Sequence, residues 1–246
     1  TATLRGPASG VVAFTQGTAN FSGLIVDRVG VEYRLRIAAG TREAGASLTT
    51  PPFSVVEGPP VGVRLATEPG FATGGLPFAA QPVVHLVDSG GNPVSRHTPA
   101  TVSVSLLTDP SGGKATLAAP QGVRVAVVRG VALFRGLSLD VAAVGYILRF
   151  NVTGADGGPL PGVPPFVDTP AFTVGVGPTS HLRVAVAPAG AQGGLPFRTQ
   201  PVVELCDAGG NVNVDDSDSH VHVAIYANTA VTAGAHLGPV WLERPA

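Results

Sequence analysis

The sequence predicts an all-β chain built as a tandem array of antiparallel β-sandwich repeats, and three observations predict it. Segments recur at fixed spacing, apolar runs are short and alternate with polar residues, and no stretch of useful length keeps a helical period.

The recurrence is the strongest of the three. Gly74-Gly75-Leu76-Pro77-Phe78, Gln81-Pro82-Val83-Val84, Asp88 and Gly90-Gly91-Asn92 return as Gly193-Gly194-Leu195-Pro196-Phe197, Gln200-Pro201-Val202-Val203, Asp207 and Gly209-Gly210-Asn211, at an offset of 119 residues. A second set links the start of the chain to its middle at an offset of 113: Ala2-Thr3-Leu4 with Ala115-Thr116-Leu117, Gly23-Leu24 with Gly136-Leu137, Asp27 with Asp140 and Tyr33 with Tyr146. Thr50-Pro51 and Phe53 then match Thr169-Pro170 and Phe172 at 119 again, so about six residues were inserted between Thr153 and Asp168, as surface loops tolerate. These matches divide the chain into residues 1–56, the C-terminal part of one repeat, residues 57–175, a complete repeat, and residues 176–246, the N-terminal part of a further one. Half a sandwich leaves an apolar face uncovered. The expectation is that further chain, or complementation between molecules, completes each terminal half.

The strands follow from local patterning. In the complete repeat, Val61 to Ala66, Val83 to Val87, Ala100 to Leu107, Val123 to Val128, Val131 to Phe134 and Tyr146 to Val152 are short and rich in β-branched residues. Val102, Val104 and Leu106 alternate with Ser103 and Ser105, which gives one buried and one solvated face. Gly and Pro, 33 and 23 of the 246 residues, interrupt every helical candidate. About seven strands with turns every 8 to 12 residues suit an immunoglobulin-like sandwich.

Composition excludes several function classes. A net charge of −1 leaves no footprint for a phosphate backbone, so nucleic acid is not an expected partner. No apolar run approaches the roughly 20 residues that span a bilayer, so no membrane insertion is expected in this segment. With one cysteine, Cys206, no disulfide closes within the chain.

The run Gly130-Val131-Ala132-Leu133-Phe134-Arg135-Gly136-Leu137-Ser138-Leu139-Asp140, followed by Gly145-Tyr146-Ile147-Leu148, resembles the late strands of tandem Ig-like repeats in large cell-surface glycoproteins. Such repeats occur in bacterial adhesin-type proteins and in green-algal glycoproteins. The resemblance implies an extracellular or cell-surface setting. An Ala/Gly/Pro/Arg-heavy composition and two sequons narrow the expectation to a flagellar-surface glycoprotein of the mastigoneme kind. Asp140 to Tyr146 and Asp27 to Tyr33 also resemble the tyrosine corner, in which a phenol bonds backbone at the start of a late strand. Leu35 and Leu148 stand where an antibody domain carries cysteine, so the core must rest on aliphatic packing.

Candidate sites are few. Asn20-Phe21-Ser22 and Asn151-Val152-Thr153 are N-glycosylation sequons, and Asn151 is expected to end a strand beside the inserted loop. Asp215, Asp216 and Asp218 offer oxygen ligands of the kind Ca²⁺ takes, and His220 and His222 would share a strand face as a Zn²⁺ pair does. The competing reading is a solvated loop, because the aligned stretch Arg96 to Ala100 carries no carboxylate. Asp88 and Asp207 read as turn caps, since an Asp side chain bonds backbone two residues on. No nucleophile, base and orienting group converge, and no enzyme activity or other cofactor is expected.

The function expected is that of a structural spacer. Sandwiches joined end to end, with Pro at Gly58-Pro59-Pro60 and Gly177-Pro178, make a stiff array whose partners are neighbouring repeats and other copies in an assembly. The alternative is an adhesive module for glycan or protein, Ca²⁺-dependent if the acidic cluster is used.

Overall fold

The computed structural model describes residues 2–6, 11–40, 45–96 and 99–225, and every regular element among them is a strand. The chain divides into two compact units, Thr1–Gly175 and Val176–Ala246.

In the first unit, β1 (Leu4–Arg5), β2 (Ile25–Val26), β3 (Gly30–Tyr33), β4 (Arg36–Gly40), β5 (Gly45–Thr49) and β6 (Phe53–Val55) come first along the chain. They form antiparallel pairs, β1 with β2, β3 with β6 and β4 with β5. After them run β7 (Gly62–Thr67), β8 (Ala72–Thr73), β9 (Val83–Val87), β10 (Ala100–Thr108), β11 (Leu117–Ala118), β12 (Arg124–Ala126), β13 (Val131–Leu133), β14 (Ser138–Leu139), β15 (Ala143–Gly154), β16 (Phe166–Asp168) and β17 (Phe172–Gly175). A three-stranded sheet has the order β13-β9-β7. A six-stranded sheet has the order β12-β10-β15-β17-β8, with β16 also paired to β15. Every pairing is antiparallel except β8 with β17, where Ala72 lies beside Val174 and Thr73 beside Gly175 in parallel. The chain therefore leaves the three-stranded sheet after β7 and joins the larger sheet at β8, the kind of switch by which a strand turns a corner between layers.

One core lies between these two sheets. Val84 and Leu86 of β9 and Ala132 of β13 cluster with Val102 and Val104 of β10, Leu148, Phe150 and Val152 of β15, and Val174 of β17. Period-two alternation places them there: on β15, Tyr146, Leu148, Phe150 and Val152 are buried, while Ile147, Arg149, Asn151 and Thr153 take the outer face. Phe134 closes on Phe150 with ring centroids 5.2 Å apart. Burying a side chain of this size contributes about 1.5–3 kcal/mol each, and truncating one to alanine costs more because a cavity remains.

Val128 to Val131 is a two-residue hairpin, with the N–H of each end residue donating to the carbonyl of the other at 2.8 and 3.0 Å. Arg129 and Gly130 have φ of 49° and 74°, the pair of positive values that a type I′ turn demands. Thr15 to Thr18 repeats it, with Gln16 at 50° and Gly17 at 78°. The hairpin trims the strand expected over Val123 to Val128 to Arg124–Ala126, because Val128 belongs to the turn.

The second unit contains β18 (His181–Val186) and β19 (Val202–Cys206), paired antiparallel, with Cys206 fully buried. Matching hydrogen bonds form inside each unit at the offset of the sequence repeat. Val61 N–H donates to Val87 O at 2.9 Å and Ser180 N–H to Cys206 O at 2.7 Å; Val94 N–H donates to Leu86 O at 3.0 Å and Asn213 N–H to Leu205 O at 2.8 Å. Within the first unit the earlier matches are visible too, since Leu35 N–H donates to Thr50 Oγ1 at 3.0 Å and their counterparts, 113 and 119 residues on, pair likewise, Leu148 N–H to Thr169 Oγ1 at 3.1 Å. No helix among the described residues is long and apolar enough to cross a membrane.

Candidate functional site

The most organised polar cluster is built on the turn that follows β9. Asp88 is 6% exposed and saturates its carboxylate with nearby donors. Oδ1 accepts from Gly90 N–H and Asn92 N–H at 2.9 Å each, and from Asn92 Nδ2 at 3.0 Å. Oδ2 accepts from Asn92 Nδ2 at 3.1 Å and from Gly58 N–H at 3.0 Å, thirty residues earlier in the chain. Burial by itself pushes the Asp88 pKa up, but the N–H groups of Gly58, Asn92 and Gly90 and the Asn92 amide outweigh it and hold the group below its ordinary value.

The same constellation forms in the second unit. Asp207 Oδ1 accepts from Gly209 N–H and Asn211 N–H at 2.9 Å each, and Oδ2 accepts from Gly177 N–H at 2.8 Å. Asn211 Nδ2 donates to both oxygens at 3.0 Å. Here too burial is outweighed by Gly177, Asn211 and Gly209, and the pKa is lowered. The turn cap expected at each Asp is present. The bond from the preceding Gly adds something the turn alone does not need, because it fastens the Gly-Pro linker to the turn.

In the first unit the turn also grips the segment before it. Asn92 Nδ2 donates to Asp27 O at 2.8 Å and Asn92 Oδ1 accepts from Val29 N–H at 3.2 Å, so one primary amide brackets the backbone on either side of Arg28. Gly90 permits this approach, since a Cβ there would strike the Asp27 carbonyl oxygen. The linker is tied a second time by Glu57, whose carboxylate accepts from Ser95 N–H at 2.6 Å, Ser95 Oγ at 3.0 Å and Arg96 N–H at 2.7 Å. Backbone hydrogen bonding to Ser95 leads the causes that hold the Glu57 pKa low.

The tyrosine corner is formed: Tyr146, fully buried, donates from its hydroxyl to Val141 O at 2.8 Å. The adjoining Asp140 accepts from Thr116 N–H at 2.6 Å, as Asp27 accepts from Thr3 N–H at 2.7 Å.

Of the sequon residues, Asn20 is exposed outside any strand, and Asn151 is half-buried within β15. Asn151 does not end its strand, which runs on to Gly154 with β10 on one side and β16 on the other. The acidic and histidine residues lie on an irregular segment. Asp215, Asp218, His220 and His222 are exposed, and Asp216 uses its carboxylate on Ser219, accepting from N–H at 3.0 Å and from Oγ at 2.8 Å. No group of three or more His, Cys, Asp or Glu placed to hold a metal ion occurs among the described residues. His220 and His222 were expected on a strand; their stretch is instead irregular, because the matching β10 is held between β15 and β12 and the described part of the second unit has no counterpart to either.

Sequence reasoning missed three features: the Glu57 clamp, the Asn92 bracket, and a cross-strand cluster on the outer face of β15 and β16. In that cluster Arg149 donates to Asp168 from Nε and Nη2 at 2.8 Å each, and its guanidinium carbon lies 3.7 Å from the centroid of the Phe166 ring.

No family model matches the chain, and no curated protein matches it in sequence. Among solved structures, a glycosyl hydrolase family 2 member from Bacteroides cellulosilyticus superposes with a TM-score of 0.35 and 15% identity, covering 65% of this chain and 21% of that one. At that score the likeness carries no argument about activity, and what stands for this chain is an all-β fold of several small, mainly antiparallel sheets.

Proposed function

We propose that the chain is a spacer and scaffold segment of a long extracellular surface or filament glycoprotein, a stiff array of Ig-like sandwiches whose partners are its own neighbouring repeats and other copies in an assembly. The observation that carries this reading is the Asp-x-Gly-Gly-Asn turn. Twice along the chain a buried carboxylate of this turn binds the N–H of the linker glycine, and in the first unit its asparagine also brackets the backbone at Asp27 and Val29. A module kept for recognition has reason to leave polar groups available; here the most elaborate polar constellation is consumed in holding chain to chain. The recurrence of backbone bonds at the sequence offset supports one unit built repeatedly, as end-to-end arrays require. Residues 1–56, 57–175 and 176–246 are then the C-terminal part of one Ig-like repeat, a whole repeat and the N-terminal part of the next. The setting is the cell surface, the flagellar surface in particular, and the role is non-enzymatic.

Electron microscopy of the native assembly, with antibody raised against this segment, tests the proposal. Label spaced regularly along a filament or surface layer supports it. Calorimetry with Ca²⁺ and a glycan array test the adhesive alternative on the same chain, and saturable tight binding abolished by changes at Asp215 to His222 would replace the scaffold by that module.

A further inference from the structure

We propose that Asn151 carries an N-linked sugar whose first ring packs on Phe166, so that the outer face of β15 and β16 is a built seat for a glycan. The proposal rests on the reading of the chain as a glycoprotein of a eukaryotic secretory route.

Three features of the structure meet at this point. Asn151 and Phe166 are directly opposed across the antiparallel pair, the arrangement that brings Cβ atoms to about 4.5–5.5 Å. On its other side Asn151 faces Ser103, a small residue that leaves room above the sheet. Phe150 and Val152 point into the core, so the side chains of Asn151 and Thr153, the two polar members of the sequon, share the outer face. The Asn151 side chain makes no hydrogen bond to any described residue and remains available as an acceptor of the sugar.

Phe166 supplies the platform. A phenylalanine on the outer face of a sheet, 41% exposed, gains nothing from the core. It is nevertheless fixed, because Arg149 lies over one face of the ring and is itself locked to Asp168 by two parallel bonds. With Arg149 over one face, 41% of the residue remains exposed and can be covered by a ligand. The C–H-rich face of a pyranose stacks on such a ring through apolar burial and attraction to the ring's electron-rich face, as cations and aromatic edges do. The covalent step is the ordinary one. Asn151 Nδ2 bonds to the anomeric carbon of an oligosaccharide carried on a lipid diphosphate, the bond from that carbon to the diphosphate oxygen breaks, and the amide loses one proton as the diphosphate leaves.

The test uses the full chain in an Asn20→Gln background, so that Asn151 is the one sequon left. Secreted from a eukaryotic host it is examined by intact-mass spectrometry and thermal melting, against the unglycosylated chain from a bacterial host. A glycan at Asn151 is expected to raise Tm by roughly 2–4 °C, the shift that a contact of aromatic-pair size makes in a chain of this length. Phe166→Ala is expected to abolish the difference and Phe166→Tyr to keep it; Phe166→Leu serves where the alanine variant does not fold. An unmodified Asn151 overturns the seat, and the unsubstituted chain from the same eukaryotic host separates the two readings: a glycan at Asn20 there keeps the glycoprotein reading, and no glycan at either sequon overturns it. An occupied Asn151 that leaves Tm unchanged, or a gain that survives Phe166→Ala and Phe166→Leu, overturns the seat alone.

Discussion

Asp88 Oδ2 accepts the N–H of Gly58 at 3.0 Å, and through that bond a turn after β9 holds the Gly-Pro-Pro segment that precedes β7. The carboxylate also serves three donors from its own turn, so removing it strands several buried groups at once.

Asp88→Ala should therefore cost about 2–4 kcal/mol of stability, well above the roughly 1 kcal/mol of a single neutral hydrogen bond. Urea unfolding of the two chains measures it. A loss under 1 kcal/mol would mean that water satisfies the freed N–H groups and that the carboxylate is incidental.

Asn92→Ala should leave global stability less affected but release the preceding segment. The Val29 amide, bonded to Asn92 Oδ1, is the reporter: its hydrogen exchange should quicken by about tenfold or more, while core amides of β15 keep their protection. Equal protection at Val29 in both chains would count against the bracket.

Tyr146→Phe keeps the packed ring and deletes the bond to Val141 O. The expected cost is about 0.5–1.5 kcal/mol, read from the shift in urea midpoint at constant m-value.

Acid should weaken the fold in two windows. Burial lowers the pKa of His85, and the Arg64 charge lowers it further, so the unfolded chain binds that proton first; stability held above pH about 6.5 declines as pH falls through that value. Asp88 and Asp207 are likewise depressed in the folded state, and their contribution is present above about pH 4 and lost as pH falls through their folded values. A melt series from pH 8 to pH 3 should show both declines, and His85→Gln should remove the upper one.

Arg129 occupies a left-handed position that asparagine or glycine tolerates better. Arg129→Asn is expected to stabilise the chain by about 0.5–1 kcal/mol, and thermal melting of the two proteins decides it.

Much of the fold was legible because strands announce themselves locally. Val83 to Val87 has the span expected from its β-branched run, and the alternation of Val102 and Val104 with Ser103 is the alternation of burial on β10. Of the two spacings that resemble a tyrosine corner, the one at Asp140 and Tyr146 carries the hydroxyl bond. The junction was not, because Glu57 meets Ser95 across 38 residues and Asn92 meets Asp27 across 65, and side-chain bonds to distant backbone leave no periodic trace. The strand expected at His220 and His222 failed for a related reason: patterning proposes a strand, but pairing sustains it.

The parallel contact between β8 and β17 bears on how a repeat answers force. In the proposed repeat of residues 57–175 these strands lie near the two ends and run the same way, with Gly74 N–H adding a rung to Gly175 O at 2.9 Å. Tension applied at residues 57 and 175 drags them past each other lengthwise, so the rungs must yield together, whereas an antiparallel hairpin pulled from its open end unzips one rung at a time. Ala72, Thr73, Val174 and Gly175 are thus where the module should first give way in a single-molecule extension experiment, and proline at Gly74 should lower the rupture force.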